Sequence, residues 1–184
     1  MGILQIILLT VAALIIALLI VGLFTKKSYT LERIIDIDLP QHDVFNFIKY
    51  LKNQDHYNKW VMLDPQMKKT FLGRDGSSGF IYAWESSKAG TGEQEITNVI
   101  DDRRIDTEVR FKKPFKGFAQ TYFETSNENS KVGVQNSTRV RWVFGSRLNY
   151  PINLILLFMK MDRHVGKDME TSLFNLKSVL ENKQ

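Results

Sequence analysis

The chain has 184 residues and no cysteine, which excludes disulfides, a thiol nucleophile and a cysteine-ligated metal. Its 25 basic and 20 acidic side chains leave a net charge of +5 and a pI near 9.3. The bases are mostly interspersed among acids and no nucleic-acid recognition motif accompanies them, so a nucleic-acid partner is not expected.

Ile3 to Phe24 is an uncharged run broken only by Gln5, Thr10 and Gly22. At 1.5 Å per residue it spans about 30 Å, the thickness of a bilayer's hydrocarbon core, and reads as one membrane-embedded helix. The rival is a cleaved signal peptide, whose apolar region is about 7–15 residues, follows a basic start and ends at a small-residue site. Here no Lys or Arg precedes the run, and Leu23-Phe24-Thr25-Lys26 offers no such site. The expected division is a transmembrane anchor over residues 1–25 and one domain over 26–184, long enough for a sizeable core. Lys26 and Lys27 close the run and Arg33 follows, so the positive-inside rule puts the domain in the cytoplasm, tethered to the inner membrane.

Tyr29 to Leu39 reads as a first strand with Ile35, Ile37 and Leu39 on one face, and Pro40 ends it. Val44, Phe45, Phe47, Ile48 and Leu51 recur at helical spacing before the polar Asn53-Gln54-Asp55. A second short helix runs to about Trp60, and Leu63-Asp64-Pro65 breaks it. Period-two alternation then predicts six strands: Met67 to Leu72, Phe80 to Ser86, Gly92 to Ile100, Arg103 to Phe111, Gly117 to Thr125 and Ser137 to Phe144. Gly73 to Gly79 and Asn127 to Gly133 are the connecting turns. Ile105, Thr107, Val109 and Phe111 oppose Asp106, Glu108 and Arg110, and Val140, Trp142 and Phe144 oppose Arg139 and Arg141, so one face is buried and the other wet. From about Pro151 to Asn182 the spacing predicts one long helix, with Phe158, Met161, Val165, Met169, Leu173, Leu176 and Leu180 as its apolar stripe. The order β, α, α, six β, long α is an α+β helix-grip arrangement, in which a seven-stranded antiparallel sheet wraps the last helix.

Several short matches, in order, cover roughly Tyr29 to Glu181. They are Val44-Phe45 with Trp60 after it, Gly79-Phe80-Ile81-Tyr82-Ala83-Trp84 leading to Gly90-Thr91-Gly92, and Thr138-Arg139-Val140-Arg141-Trp142. Met161-Asp162, Gly166-Lys167-Asp168, Glu170, Leu173 and Leu176-Lys177 follow in the last helix. On these the chain resembles the SRPBCC or START-like superfamily and, within it, the polyketide cyclase and dehydrase group. The resemblance implies a cavity for a hydrophobic small molecule between the sheet and the last helix. Alternation assigns to it Tyr82 and Trp84, Gln94 and Ile96, Thr107 and Val109, and Val140 and Trp142, with Trp60 and Met161 approaching from the helices. The plain alternative is that these side chains fill the core. Tyr82, Trp142 and above all Gln94 carry polar atoms that need partners when buried. Binding or carriage of a lipid or isoprenoid-like molecule, with no cofactor and no chemistry, is the expected function. A cyclase or dehydratase-type enzyme using Tyr82 or Gln94 to guide protons, and a protein-interaction module regulating a membrane partner, are the alternatives.

Catalytic constellations are thin. His42, His56 and His164 form no metal pattern and are expected at exposed helix positions. Gly90-Thr91-Gly92 lacks the third glycine of a dinucleotide loop, and Gly73 to Gly79 lacks the Gly-Lys-Ser/Thr of a phosphate loop. Glu93 with Glu95, and Asp101 with Asp102, point to solvent by alternation or turn position. Asn136-Ser137-Thr138 matches a glycosylation sequon that a cytoplasmic domain does not use. Between Glu108 and Glu124 there is no acid, yet Arg110, Lys112, Lys113 and Lys116 stand among Phe111, Phe115 and Phe118. This is either a solvated hairpin or a contact for anionic lipid headgroups. The nearly continuous apolar stretch Ile152 to Met161 is too short to span a bilayer, and reads as buried under the cavity's loops or as a lip dipping into the membrane interface.

Overall fold

The computed structural model describes residues 2–128 and 137–182. Helix α1 (Ile3–Phe24) projects from the domain with its side chains largely bare. It is long and apolar enough to cross a membrane, a test that a signal sequence near an amino terminus also passes. Only Thr25, Lys26 and Lys27 separate it from β1 (Ser28–Ile37). Next come α2 (Gln41–Ile48), a 3-10 turn (Leu51–His56) and the single-turn α3 (Lys59–Met62). The strands β2 (Lys68–Leu72), β3 (Ile81–Ser86), β4 (Gly90–Ile100), β5 (Arg104–Lys113), β6 (Gly117–Glu128) and β7 (Ser137–Arg147) follow. The described residues form one seven-stranded sheet in the order β1-β7-β6-β5-β4-β3-β2, each neighbouring pair antiparallel. This is the helix-grip order expected from the sequence. Of the turn expected at Asn127 to Gly133, Asn127 and Glu128 extend β6 and the rest lies outside the described residues, as does Asn136 of the sequon.

Alternation gives the sheet two chemically different faces. Outside, ion pairs along and between strands form a lattice: Arg104 with Asp106 on its own strand and Glu124 on the next, Arg141 with Glu124 and Glu32, and Arg139 with Asp36. Inside, α5 (Lys167–Glu181) buries Met169, Leu173, Leu176 and Leu180 and packs mainly along β1. Arg33 of β1 reaches Glu170 at 2.6 Å and Asp162 at 2.7 Å, tying the helix to that edge. Away from α1 the core is solid, with Ile37, Val44, Phe45, Ile105, Val140 and Leu176 at most 1% exposed.

The last helix is not continuous. A 3-10 turn (Ile152–Leu154) and the one-turn α4 (Ile155–Phe158) precede a break at Met159, whose backbone is extended at φ −102°, ψ 123°. A π-helical turn (Asp162–Gly166) then leads into α5. Phe158, expected to open the buried stripe, is 72% exposed. Spacing of apolar residues reports which side chains would share a face if the backbone stayed helical, and it is blind to one extended residue. The break turns the segment off the sheet and toward the end of α1.

Replacing the fully buried Leu176 by Ala is expected to cost about 2–5 kcal/mol, the range for truncating a packed core Leu. Phe158→Ala should leave stability within about 0.5 kcal/mol, as for an exposed site. Denaturant melts of the detergent-solubilised chain check both, and equal losses would mean that the lip is packed like the core.

Candidate functional site

The concave face of the sheet is wider than α5 covers, and the remainder is a cavity of about 460 Å³. Register brings its walls together. Tyr82 of β3 stands opposite Gln94 of β4, Gln94 opposite Val109 of β5, and Phe123 of β6 opposite Trp142 of β7. Trp84 stands opposite Gly92 beside a β-bulge. A Cβ at Gly92 would lie 2.6 Å from the Trp84 ring and 2.8 Å from the Arg110 carbonyl oxygen, so glycine is what lets the indole lie across β4. The rings pack in sequence, Phe123 stacked on Trp142 at 4.8 Å and Trp60 edge-on to Trp142 at 5.9 Å, while Phe111 meets Trp84 at 6.2 Å. All three tryptophans of the chain line the cavity.

The polar atoms at its base are paired with one another. Asn58 Nδ2 donates to Gln54 Oε1 at 2.9 Å, Gln54 Nε2 to Gln94 Oε1 at 3.0 Å, and Gln94 Nε2 to Thr107 Oγ1 at 2.9 Å. Asn58 Oδ1 accepts from the Trp60 amide and caps α3. Trp142 Nε1 donates to Thr121 Oγ1, which donates to the Val143 carbonyl, both at 2.7 Å. Trp60 Nε1 donates to Asp168 of α5 at 3.1 Å, a carboxylate also paired with Lys59. The Tyr82 hydroxyl donates to Asp55 at 2.8 Å, and Asp55 pairs with Lys69 at 2.8 Å. Burial, and then the adjacent Asp55 carboxylate, push the Tyr82 phenol well above its usual range. Burial also raises Tyr29, partly offset by its hydrogen bond with Ser146. Both phenols therefore keep their protons at neutral pH. Among the described residues the lining contains no Asp, Glu or His.

Of the residues expected at the site, Trp60, Tyr82, Trp84, Gln94, Val109, Trp142 and Met161 line the cavity, whereas Ile96 and Val140, assigned to it by the same alternation, are fully buried in the core. Thr107 stands behind Gln94 as its hydrogen-bond partner. Sequence reasoning missed Tyr29, Gln54, Asn58, Thr121 and Phe123, all of which line it. Alternation along β6 was enough to find Thr121 and Phe123. Gln54 and Asn58 lie in turns that carry no periodic signal.

The basic stretch looks different in space. Arg110 points to the outer face and pairs with Glu93 at 2.8 Å, Glu95 at 2.5 Å and Glu108 at 3.4 Å, while Lys112 reaches Glu93 at 2.5 Å. Lys112 and Arg110 hold the Glu93 carboxyl below its usual range. The stretch is acid-free only along the chain, because β4 supplies carboxylates from beside it. Lys113 and Lys116 remain exposed, and Lys116 lines the cavity's opening. The three histidines are exposed, His42 alone engaging Asp102 and Asn46.

Register also fixes where the cavity opens. Ser28 pairs with Arg147 and Arg147 with Phe118; Gly117 pairs with Phe111, Lys113 with Thr91, and Gly90 with Ser86. The exit of α1, the β3–β4 and β5–β6 hairpins and the segment after β7 therefore share one end of the sheet. Lys88, Ala89, Phe115, Lys116, Leu148 and Ile152 border the cavity at that end.

No family model matches the chain, and no curated protein matches it in sequence. Solved structures match its fold. Ara h 8.0201 is 8% identical with a TM-score of 0.57, over 84% of this chain and 99% of its own. Norcoclaurine synthase from Thalictrum flavum is 11% identical with a TM-score of 0.58, over 88% and 92%. A structure of the same synthase in complex with dopamine and hydroxybenzaldehyde is 10% identical with a TM-score of 0.57, over 90% and 94%. These are Bet v 1/SRPBCC-fold proteins, and identities this low establish the shared fold alone.

Gln94→Leu leaves Gln54 Nε2 and Thr107 Oγ1 without their partner and is expected to cost about 1–3 kcal/mol. The double change Gln54→Leu/Gln94→Leu should cost less than the two single changes added together. Strict additivity in a double-mutant cycle would show that the two amides are not coupled.

Proposed function

We propose that the chain is a membrane-tethered binding or carrier domain for an apolar or amphipathic small molecule, lipid or isoprenoid-like, with residues 1–25 as anchor and residues 26–184 as a cytoplasmic domain. The carrying observation is an aromatic-walled cavity of about 460 Å³ opening at the end of the sheet where the apolar α1 leaves it. That volume lies within the roughly 300–1,000 Å³ of small-molecule sites, which favours a ligand over a side-chain-filled interaction module. Trp60, Tyr82, Trp84, Gln94, Val109, Trp142 and Met161 contact the ligand in this reading, and Thr107 acts by orienting Gln94. Lysines at the opening suit an anionic headgroup, with Lys113 and Lys116 in place of the internally paired Arg110 and Lys112.

Carriage is favoured over a cyclase or dehydratase reaction by the chemistry of the walls. General acid–base work needs a group that exchanges its proton near neutral pH. The described lining has no carboxylate or imidazole, its two phenols are shifted upward, and its two lysines, Lys88 and Lys116, stand at the opening and not at the base. Its amides are occupied by one another.

Trp84 is half-buried against the cavity, so Trp84→Ala should weaken binding of a long-chain fatty acid about tenfold, or about 1.4 kcal/mol. Its stability cost should stay below the roughly 3–5 kcal/mol of a packed Trp. Titration by tryptophan fluorescence, alongside a denaturant melt, checks both. A loss of packed-core size with no change in binding would make Trp84 a core filler.

A further inference from the structure

A second recess, of about 570 Å³, lies outside the cavity between the end of α1 and the segment after β7. Val21, Phe24, Thr25 and Lys26 form one side and Leu156, Leu157, Met159 and Met161 the other, with Ser28 and Tyr29 at its floor. Tyr29, Met159 and Met161 are walls of both spaces. One layer of side chains therefore separates the recess from the cavity. Two of its three members are methionines, unbranched and able to change rotamer at little cost.

The recess is held in shape from both sides. The last carbonyls of a helix have no intrahelical partner. At the end of α1, Asn153 supplies one: its Nδ2 donates to the Gly22 carbonyl at 2.8 Å and the Thr25 carbonyl at 3.3 Å. Asn153 is fully buried, and its Oδ1 has no partner among the described residues, so the amide is committed to α1. A Cβ at Gly22 would lie 3.0 Å from Leu154, so the absence of a side chain there lets the two segments touch. The Leu148 amide donates to the Lys27 carbonyl at 2.7 Å. Beside this clamp Leu157 and Phe158 are 49% and 72% exposed, continuing the bare apolar surface of α1. Lys26, Lys27, Lys88, Lys113 and Lys116 stand at the same end, and residues 25–28, 87–89, 112–117 and 148–160 contain no acid. Apolar surface below a belt of positive charge matches an amphiphile with an anionic head and one long tail.

We propose that this recess is a lateral port through which such a single-chain, fatty-acid-like amphiphile passes from the bilayer into the cavity. The tail slides along Val21 and Phe24, displaces Met159 and Met161, and enters past Tyr29, while the head stays among the lysines. This rests on the reading of the chain as a membrane-tethered binder of apolar molecules.

The chain has no cysteine, so a single introduced one is a unique handle. Leu157→Cys places it in the recess and outside the cavity lining, and Phe174→Cys, at a 65% exposed position on α5, serves as control. Each full-length variant is reconstituted in vesicles of phosphatidylcholine and phosphatidylglycerol, with and without a bulky maleimide on the cysteine. Dibromostearate is then added and quenching of the cavity tryptophans followed in time. Blocking Leu157→Cys should slow quenching roughly tenfold, as about 1.4 kcal/mol of added barrier does, with the final extent unchanged; blocking Phe174→Cys should do neither. Equal rates with and without the label at Leu157→Cys would overturn the port and leave the binding reading standing. No quenching in the unlabelled proteins would overturn both.

Discussion

One fifteen-residue helix cannot fill the concave side of a seven-stranded sheet, and the rest of this molecule follows from that shortfall. Helix α5 settles along β1, held by Arg33, and seals the end of the sheet away from α1 with Met169, Leu173, Leu176 and Leu180. The end nearest α1 is left to large side chains of β3, β5, β6, β7 and α3. Their rings meet edge to face or stack in pairs without closing the gap. An apolar void of this size is costly unless something occupies it, because its lining lacks dispersion partners on one side.

Polar groups keep the void from collapsing into an irregular core. The amide chain Asn58, Gln54, Gln94 and Thr107 crosses from the helical segment to the sheet and spans the cavity's base. Each amide bonds to the next, so the base is fixed in shape. The outer face is stiffened in another way, by cross-strand pairs of Arg104, Arg110, Arg139 and Arg141 with carboxylates. Individually such partly exposed pairs are worth little. Together they tie neighbouring strands across the outer face, while Lys113 and Lys116 at the α1 end stay exposed.

Much of this was legible in the chain. Strand alternation sorted both faces correctly, because a half-buried sheet imposes period two on every strand. The same rule assigned Tyr82, Trp84, Val109 and Trp142 to the inner face. Three features escaped it, each for its own reason. The break at Met159 is a backbone event that leaves helical spacing of side chains intact. Gln54, Asn58 and Asn153 act from single turns, where one residue has no periodic company. Arg110 and Lys112 looked unpaired because their carboxylates are far along the chain and adjacent only through register. The resemblance to the cyclase and dehydrase group is carried only by the quoted sequence matches; no family model matches the chain, and the structural likeness reaches the fold and no further.

In the proposed reading, the hollow at the α1 end holds one apolar molecule. Native mass spectrometry of the full-length chain, released from detergent under conditions that preserve bound small molecules, tests it most directly. A population heavier than the bare chain by the mass of one lipid-like molecule is expected, restored by added fatty acid after stripping. Only the bare mass, before and after a long-chain ligand is supplied, would contradict it.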